Sequence, residues 1–195
     1  MSGANGTTRQ TRNRGPSARL FFALVPDTGA RDTLVTLAQD VVRDTGGRAP
    51  RAENLHLTLA FLGNVPQRRL EELKTIGARA AAAAAPFLLT LDSVGVFREA
   101  GVAWAGTEAV PDELQRLFDG LRSLLRAADL PTEHRAFHPH LTLARRCVRG
   151  LRSAAMAPVA WRVESIALMA SETLPAGPRY RELASWPLAA ACPLP

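Results

Sequence analysis

The tetrapeptide His-Leu-Thr-Leu occurs twice, at His56-Leu57-Thr58-Leu59 and at His140-Leu141-Thr142-Leu143. Successive side chains of a β-strand face opposite sides, so on a strand His56 and Thr58 share one face while Leu57 and Leu59 share the other. The same holds for His140 with Thr142 and Leu141 with Leu143. If the two strands lie side by side, two imidazoles and two hydroxyls converge on a volume that suits a phosphate. Imidazole has an ordinary pKa of about 6.5, so one ring can be neutral and the other charged near neutral pH. One can then take a proton from water while the other delivers one to a departing ribose oxygen, as the opening of a cyclic phosphodiester requires. Thr58 and Thr142 can donate to the non-bridging oxygens, where negative charge builds in the transition state. Arg145, five residues beyond His140, can add a planar guanidinium fork. This scheme uses no metal and no cofactor.

A single His-x-Thr on a strand is more often a plain solvated or hydrogen-bonded face, and short strings recur by chance. What separates the pair from coincidence is its placement. Two of the chain's four histidines fall at equivalent points of a repeated layout.

That layout is read from periodicity and punctuation. Arg19 to Val25 has the apolar run of a buried strand, with Pro26-Asp27 as its exit. A helix follows, with Leu34, Leu37, Ala38, Val41 and Val42 on one stripe and Gly46-Gly47 at its end. Asn54 to Gly63 is the first motif strand, with Asn64-Val65-Pro66 leading out and Pro66 opening the next helix. Leu70, Leu73, Gly77 and Ala81 form that helix's buried stripe, and Pro86 closes it. Phe87 to Phe97 and Gly101 to Thr107 have the order of a hairpin. Leu114, Leu117, Phe118, Leu121, Leu124, Leu125 and Ala128 mark a helix from Pro111 to Asp129. His138 to Arg145 is the second motif strand, and two more strands are expected at Trp161 to Ser171 and Tyr180 to Trp186. Helices interspersed with hairpins, without strict βα alternation, favour an α+β fold with antiparallel pairing over a doubly wound parallel sheet.

The composition allows such a fold in one compact unit. The 195 residues are 47% hydrophobic and 22% charged, the mixture of a globular protein. The formal charge is +6, of which Arg9, Arg12 and Arg14 lie in a Gly/Ser/Thr/Asn-rich opening segment. A mild basic excess in the remainder suits a polyanionic ligand without demanding one. Cys147 and Cys192 are too few for a disulfide framework or a thiolate zinc site, and a reducing, cytoplasmic setting is expected. No stretch approaches the ~20 apolar residues of a membrane helix. The expected organisation is a disordered basic tail over 1–17, a catalytic unit over 18–188 and a short tail over 189–195.

The extended strings around the motifs carry more than the tetrapeptides. Arg19-Leu20-Phe21-Phe22-Ala23-Leu24 with Pro26, then Glu53-Asn54-Leu55-His56-Leu57-Thr58-Leu59-Ala60-Phe61-Leu62-Gly63, Trp104, His138-Pro139-His140-Leu141-Thr142-Leu143-Ala144-Arg145, and Ser171 with Tyr180 resemble the two-histidine phosphoesterases. Within that superfamily they are most similar to the bacterial and archaeal RNA 2′,3′-cyclic phosphodiesterases, historically called 2′-5′ RNA ligases. The resemblance runs from about Arg19 to Leu188. It implies two α+β lobes related by a pseudo-twofold axis, each giving a motif strand to a central cleft. It also implies opening of a 2′,3′-cyclic phosphate at an RNA end to leave a 2′-phosphate, with no metal or nucleotide cofactor. His56 and His140 become the acid and base, in that order, Thr58 and Thr142 bind the phosphate, and Arg145 assists. The expected partner is RNA with such an end or a small cyclic nucleotide, the expected state a monomer, and 2′-5′ joining the reverse of the same step. A cyclic phosphate of ADP-ribose as substrate and a non-catalytic RNA-end-binding module are the alternatives.

Other residues are read more plainly. His134 and His138 could join His140 around a metal, but no acidic or Cys partner stands at a recognisable spacing. Arg135 beside His134 could contact RNA phosphates. Cys147 fits a small, partly buried thiol, and Phe97 and Trp104 fit the core or the rim of the cleft better than base-stacking platforms.

Overall fold

In a computed structural model of the chain, residues 16–132, 136–151, 154–174 and 177–189 are described. His134, Arg135, Cys192 and most of the opening basic segment lie outside them. Eight strands and three helices follow in the order β1 Ser17–Leu24, α1 Thr28–Thr45, β2 Leu57–Pro66, α2 Leu70–Ala82, β3 Phe87–Phe97, β4 Val102–Gly106, α3 Asp112–Ala127, β5 His140–Arg145, β6 Ala154–Val163, β7 Ser165–Leu174 and β8 Gly177–Pro187. The strands make one open sheet in the order β6-β3-β4-β5-β2-β1-β7-β8, and every pairing in it is antiparallel. The fold is α+β.

The sheet order reads as two four-stranded halves with the motif strands β5 and β2 meeting in the middle. They join through a single registered pair, Leu57 opposite Leu141. Antiparallel neighbours are related by a twofold axis perpendicular to the sheet, and here that axis passes through the two motifs. Connectivity obeys it as well: β1–α1–β2 and β4–α3–β5 each join adjacent antiparallel strands through a helix. Each helix reaches the other half, α1 packing on β5 and β6 and α3 on β2 as well as on β3 of its own half. The halves are therefore held together by swapped helices more than by the seam between β2 and β5.

Local sequence explains these elements. Asp27 caps α1 by accepting from the Ala30 N–H at 2.8 Å, and Gly46 ends it with φ +70, a left-handed turn whose N–H donates to the Val42 carbonyl. Ala30, Leu34, Ala38 and Val41 form its buried stripe. In α3 the stripe is Leu114, Leu117, Phe118, Leu121 and Leu125. Gly77 of α2 lies against the Trp186 ring so closely that a Cβ there would come within 2.4 Å of it. The helix-side face of the sheet supplies Leu20, Phe22, Leu24, Leu57, Leu59, Leu141 and Leu143 to the main core. A smaller cluster of Phe21, Ala23, Ala167 and Met169 fills the opposite face beneath the first motif.

Two expectations are corrected. Strand β2 does not stop at Gly63, because the start of β1 continues the ladder, with Ser17 opposite Pro66; Pro66 thus ends a strand instead of opening α2 directly. The single strand expected at Trp161 to Ser171 is two, β6 and β7, turning at Glu164. Pro158 lies within β6, although proline has no N–H to donate to a ladder. It is tolerated because β6 is an edge strand pairing only with β3, and the pairing is irregular between Leu91 and Ser93, opposite this stretch.

Candidate active site

The seam between β2 and β5 determines what the motif faces present. Continuing the Leu57–Leu141 register by one residue on either side sets His56 opposite Thr142 and Thr58 opposite His140. Residues directly opposite on an antiparallel pair share a face, so all four polar side chains lie on one side of the sheet. The histidines take the diagonal, a separation on the order of 7–8 Å in a regular ladder. Leu57 and Leu141 are fully buried on the other side, whereas His56, Thr58, His140 and Thr142 are all half-buried.

Each imidazole is held in the same way. His56 Nδ1 lies 2.7 Å from the Asn54 carbonyl oxygen, and His140 Nδ1 lies 2.8 Å from the His138 carbonyl oxygen. A carbonyl only accepts, so each Nδ1 carries the hydrogen and donates it. That leaves Nε2 of each ring as the working nitrogen, a base when the ring is neutral and an acid when it is charged. Two residues before each motif histidine, the backbone thus does what a carboxylate does in other acid–base sites.

The surroundings of the two rings differ. His56 is enclosed by Phe21, whose ring centroid is 4.9 Å away, and by Tyr180, edge-on at 4.9 Å, with Phe21 and Tyr180 themselves 5.2 Å apart. Burial in this cage holds the His56 pKa below the ordinary imidazole value, the Asn54 hydrogen bond works against that, and the charges of Arg145 and His140 push the same way as burial. His140 meets Phe97 edge-on at 5.0 Å, and Trp104 packs edge-on against His138 at 5.3 Å.

Two cavities open on either side of the seam and share Thr58 and Phe61 as a common wall. One, about 870 Å³, holds His140 with His138, Phe97, Phe118 and Phe137. The other, about 490 Å³, holds His56 with Tyr180, Arg19, Arg145 and Arg146. The structure therefore brings His56, His140, Thr58 and Arg145 to the cleft. Thr142 stands on the same face, opposite Trp104 of β4, but lines neither cavity. Phe97 lines the His140 cavity, and Trp104 packs behind it with ring centroids 5.5 Å apart but lines neither cavity. Among the described residues no group of three His, Cys, Asp or Glu side chains comes together, and Cys147 is half-buried.

Sequence reasoning assigned no role to Asn54. The residue is buried, only 6% exposed. Its Nδ2 donates to the Pro178 carbonyl at 2.9 Å and its Oδ1 accepts from the Tyr180 N–H at 3.2 Å, pinning the start of β8 beside His56. A buried Asn two residues before a motif histidine was the available signal, but its partners lie more than 120 positions away. Phe21 and Arg19 were equally hidden, since nothing local in β1 says which residues face the cleft.

A family model described as LigT-like phosphoesterase matches residues 25–104 and 106–180. The chain is 36% identical over 181 residues to the RNA 2′,3′-cyclic phosphodiesterase of Thermus thermophilus, covering 87% of this chain and 90% of that protein. It is 35% identical over 127 residues to the Escherichia coli protein of the same name, covering 65% and 71%. Among solved structures, E. coli LigT complexed with 3′-AMP aligns with a TM-score of 0.80 at 31% identity over 89% of this chain and 99% of that one. TT0787 of T. thermophilus aligns with a TM-score of 0.77 at 34% identity over 89% and 100%.

Proposed function

The chain belongs to the LigT-like phosphoesterase family and is an enzyme of that class, and on that premise we propose that it opens 2′,3′-cyclic phosphate ends of RNA to 2′-phosphates by paired-histidine acid–base catalysis within residues 18–188. The observation that carries this is the antiparallel seam, which sets His56, Thr58, His140 and Thr142 on one face around its single registered pair.

The step follows from the two rings. Neutral His140, its Nδ1–H on the His138 carbonyl, takes a proton from water at Nε2 as the water oxygen bonds to phosphorus. The P–O3′ bond breaks, and charged His56 gives its Nε2 proton to the departing O3′. The Asn54 carbonyl supports the charged form of His56 throughout. Burial opposes that form in the free protein, and the phosphate anion between the rings restores it. Thr58, Thr142 and Arg145 donate to the non-bridging oxygens. With an RNA 5′-hydroxyl in place of water, the same base and acid would break P–O3′ and form a 2′-5′ phosphodiester, which is ligation; the reverse of that step cleaves the 2′-5′ bond and restores the cyclic phosphate.

The test is a product-resolved assay on a short RNA ending in a 2′,3′-cyclic phosphate, with chelator present. Conversion to the 2′-phosphate is expected, with His56→Ala and His140→Ala each losing at least ~10²-fold in rate while circular dichroism is unchanged. Full activity in either variant would overturn the proposal. A nucleoside phosphodiester with a p-nitrophenyl leaving group separates acid from base. It needs no proton on departure, so His56→Ala should recover on it and His140→Ala should not.

A further inference from the structure

The basic cavity holds more positive charge than a cyclic phosphate uses. A cyclic phosphodiester carries one negative charge, and Arg145 already answers it. Arg19 from β1 and Arg146, next after β5, line the same cavity. No Asp or Glu among the described residues lines it, and none of these three arginines is in an ion pair there, whereas Arg43, Arg51, Arg69, Arg116, Arg122 and Arg162 each have a carboxylate within reach. Like charges gathered without counter-ions repel one another, and an anion relieves that.

The backbone holds these side chains in place. Arg146 has φ +57, the left-handed region that disfavours a non-glycine residue. The turn is braced on both sides: Arg145 and Arg48 exchange N–H···O bonds at 3.0 and 2.8 Å, and the Cys147 N–H donates to the Gly101 carbonyl at 3.0 Å. Beyond it, Arg149 donates to the carbonyls of Arg43 and Asp44 at the end of α1. The Arg19 Cζ sits over the Phe61 ring, 4.8 Å from its centroid, a cation–π contact that steadies the guanidinium.

We infer that this cavity is a subsite for a second phosphoryl group, the one borne on the 5′ oxygen of the ribose whose cyclic phosphate is opened. It rests on the proposed function and adds a specificity to it. Thr58 and Phe61 are common to both cavities, so a ribose at the junction has its cyclic phosphate at the histidines and its 5′ substituent toward Arg19 and Arg146. The group can be the phosphodiester of an RNA chain or the diphosphate of ADP-ribose, since the cavity recognises the phosphoryl oxygens common to both.

The experiment compares kcat/KM of the full chain on adenosine 2′,3′-cyclic phosphate, its 5′-phosphorylated form, the dinucleotide ApA 2′,3′-cyclic phosphate and the cyclic phosphate of ADP-ribose. A gain of about tenfold or more is expected for 5′-substituted substrates over the bare nucleoside, weakening as salt rises. Whichever of the last two substrates gains more identifies the source of the group. The gain should vanish in Arg19→Ala/Arg146→Gly, where the glycine keeps the left-handed turn and so the fold, and return in part in Arg146→Lys. Binding of adenosine 2′-phosphate against adenosine 2′,5′-bisphosphate, by calorimetry, reads the subsite without turnover. Tighter bisphosphate binding that the double variant loses, without opening of any cyclic phosphate, keeps the subsite and overturns the proposed function. Equal wild-type affinities, or a preference the double variant retains, overturn the subsite.

Discussion

Replacing Asn54 with alanine removes the amide that ties β8 to the first motif, and its consequences reach His56 by a definite route. Two hydrogen bonds are lost, one to the Pro178 carbonyl and one from the Tyr180 N–H. Each is worth about 1 kcal/mol net. Pro178 is exposed, so water can satisfy its carbonyl and the cost stays near about 2 kcal/mol. For a domain of this size that is a fall in Tm of about 4–8 °C. The second effect is specific to the site. Tyr180, edge-on to His56 at 4.9 Å, is no longer held, water reaches the imidazole, and the burial that lowers its pKa weakens. The His56 pKa should therefore rise toward 6.5, and the alkaline limb of kcat/KM, set by loss of the acid's proton, should move to higher pH. Asn54→Asp keeps the acceptor for the Tyr180 N–H but loses the donor to Pro178 and adds a negative charge beside His56, so it should raise the pKa further. NMR titration of the His56 ring together with thermal unfolding reads both effects. A loss of stability with the His56 titration unmoved would refute the reasoning and leave Asn54 a purely structural clip.

The remaining expectations follow from single contacts. Gly77→Ala places a Cβ against the Trp186 ring and should cost 1–3 kcal/mol or more by overpacking, seen as a lower denaturant midpoint. Leu141→Ala opens a cavity where the two sheet halves meet and should cost about 2–5 kcal/mol, with catalysis lost more steeply than stability if the seam aligns the histidines. Asp27→Ala removes the α1 cap and should cost about 1 kcal/mol with activity unaffected. Because the His56 pKa is lowered on folding, the unfolded chain binds its proton first. Stability should therefore rise with pH through the window from the lowered value up to about 6.5, and that slope should diminish in His56→Gln when unfolding is followed across pH.

Much of this architecture was legible from local pattern because local forces decide it. The stripe of α3, the Asp27 and Gly46 boundaries of α1 and the polar and apolar faces of each motif strand follow from periods of 3.6 and 2 and from capping chemistry. They hold whatever the strands pair with. The extended strings around His56 and His140 went further and identified the family, although strand periodicity alone left a solvated face as good an explanation as a catalytic one. Strand β6 escaped notice because Pro158 and a run of alanines carry no strand pattern. It is a strand only because β3 offers it an edge.

What tertiary structure alone decided is how the two motifs meet. Periodicity places His56 with Thr58 and His140 with Thr142, but the pairing of His56 with Thr142 and Thr58 with His140 depends on one register between strands more than eighty residues apart. The asymmetry of the site also comes from long-range packing: Phe21 and Tyr180 desolvate one imidazole, Phe97 borders the other, and three arginines gather on one side of the seam. A side chain's type is written in the sequence, whereas its desolvation and its charged neighbours are properties of the surfaces that close around it.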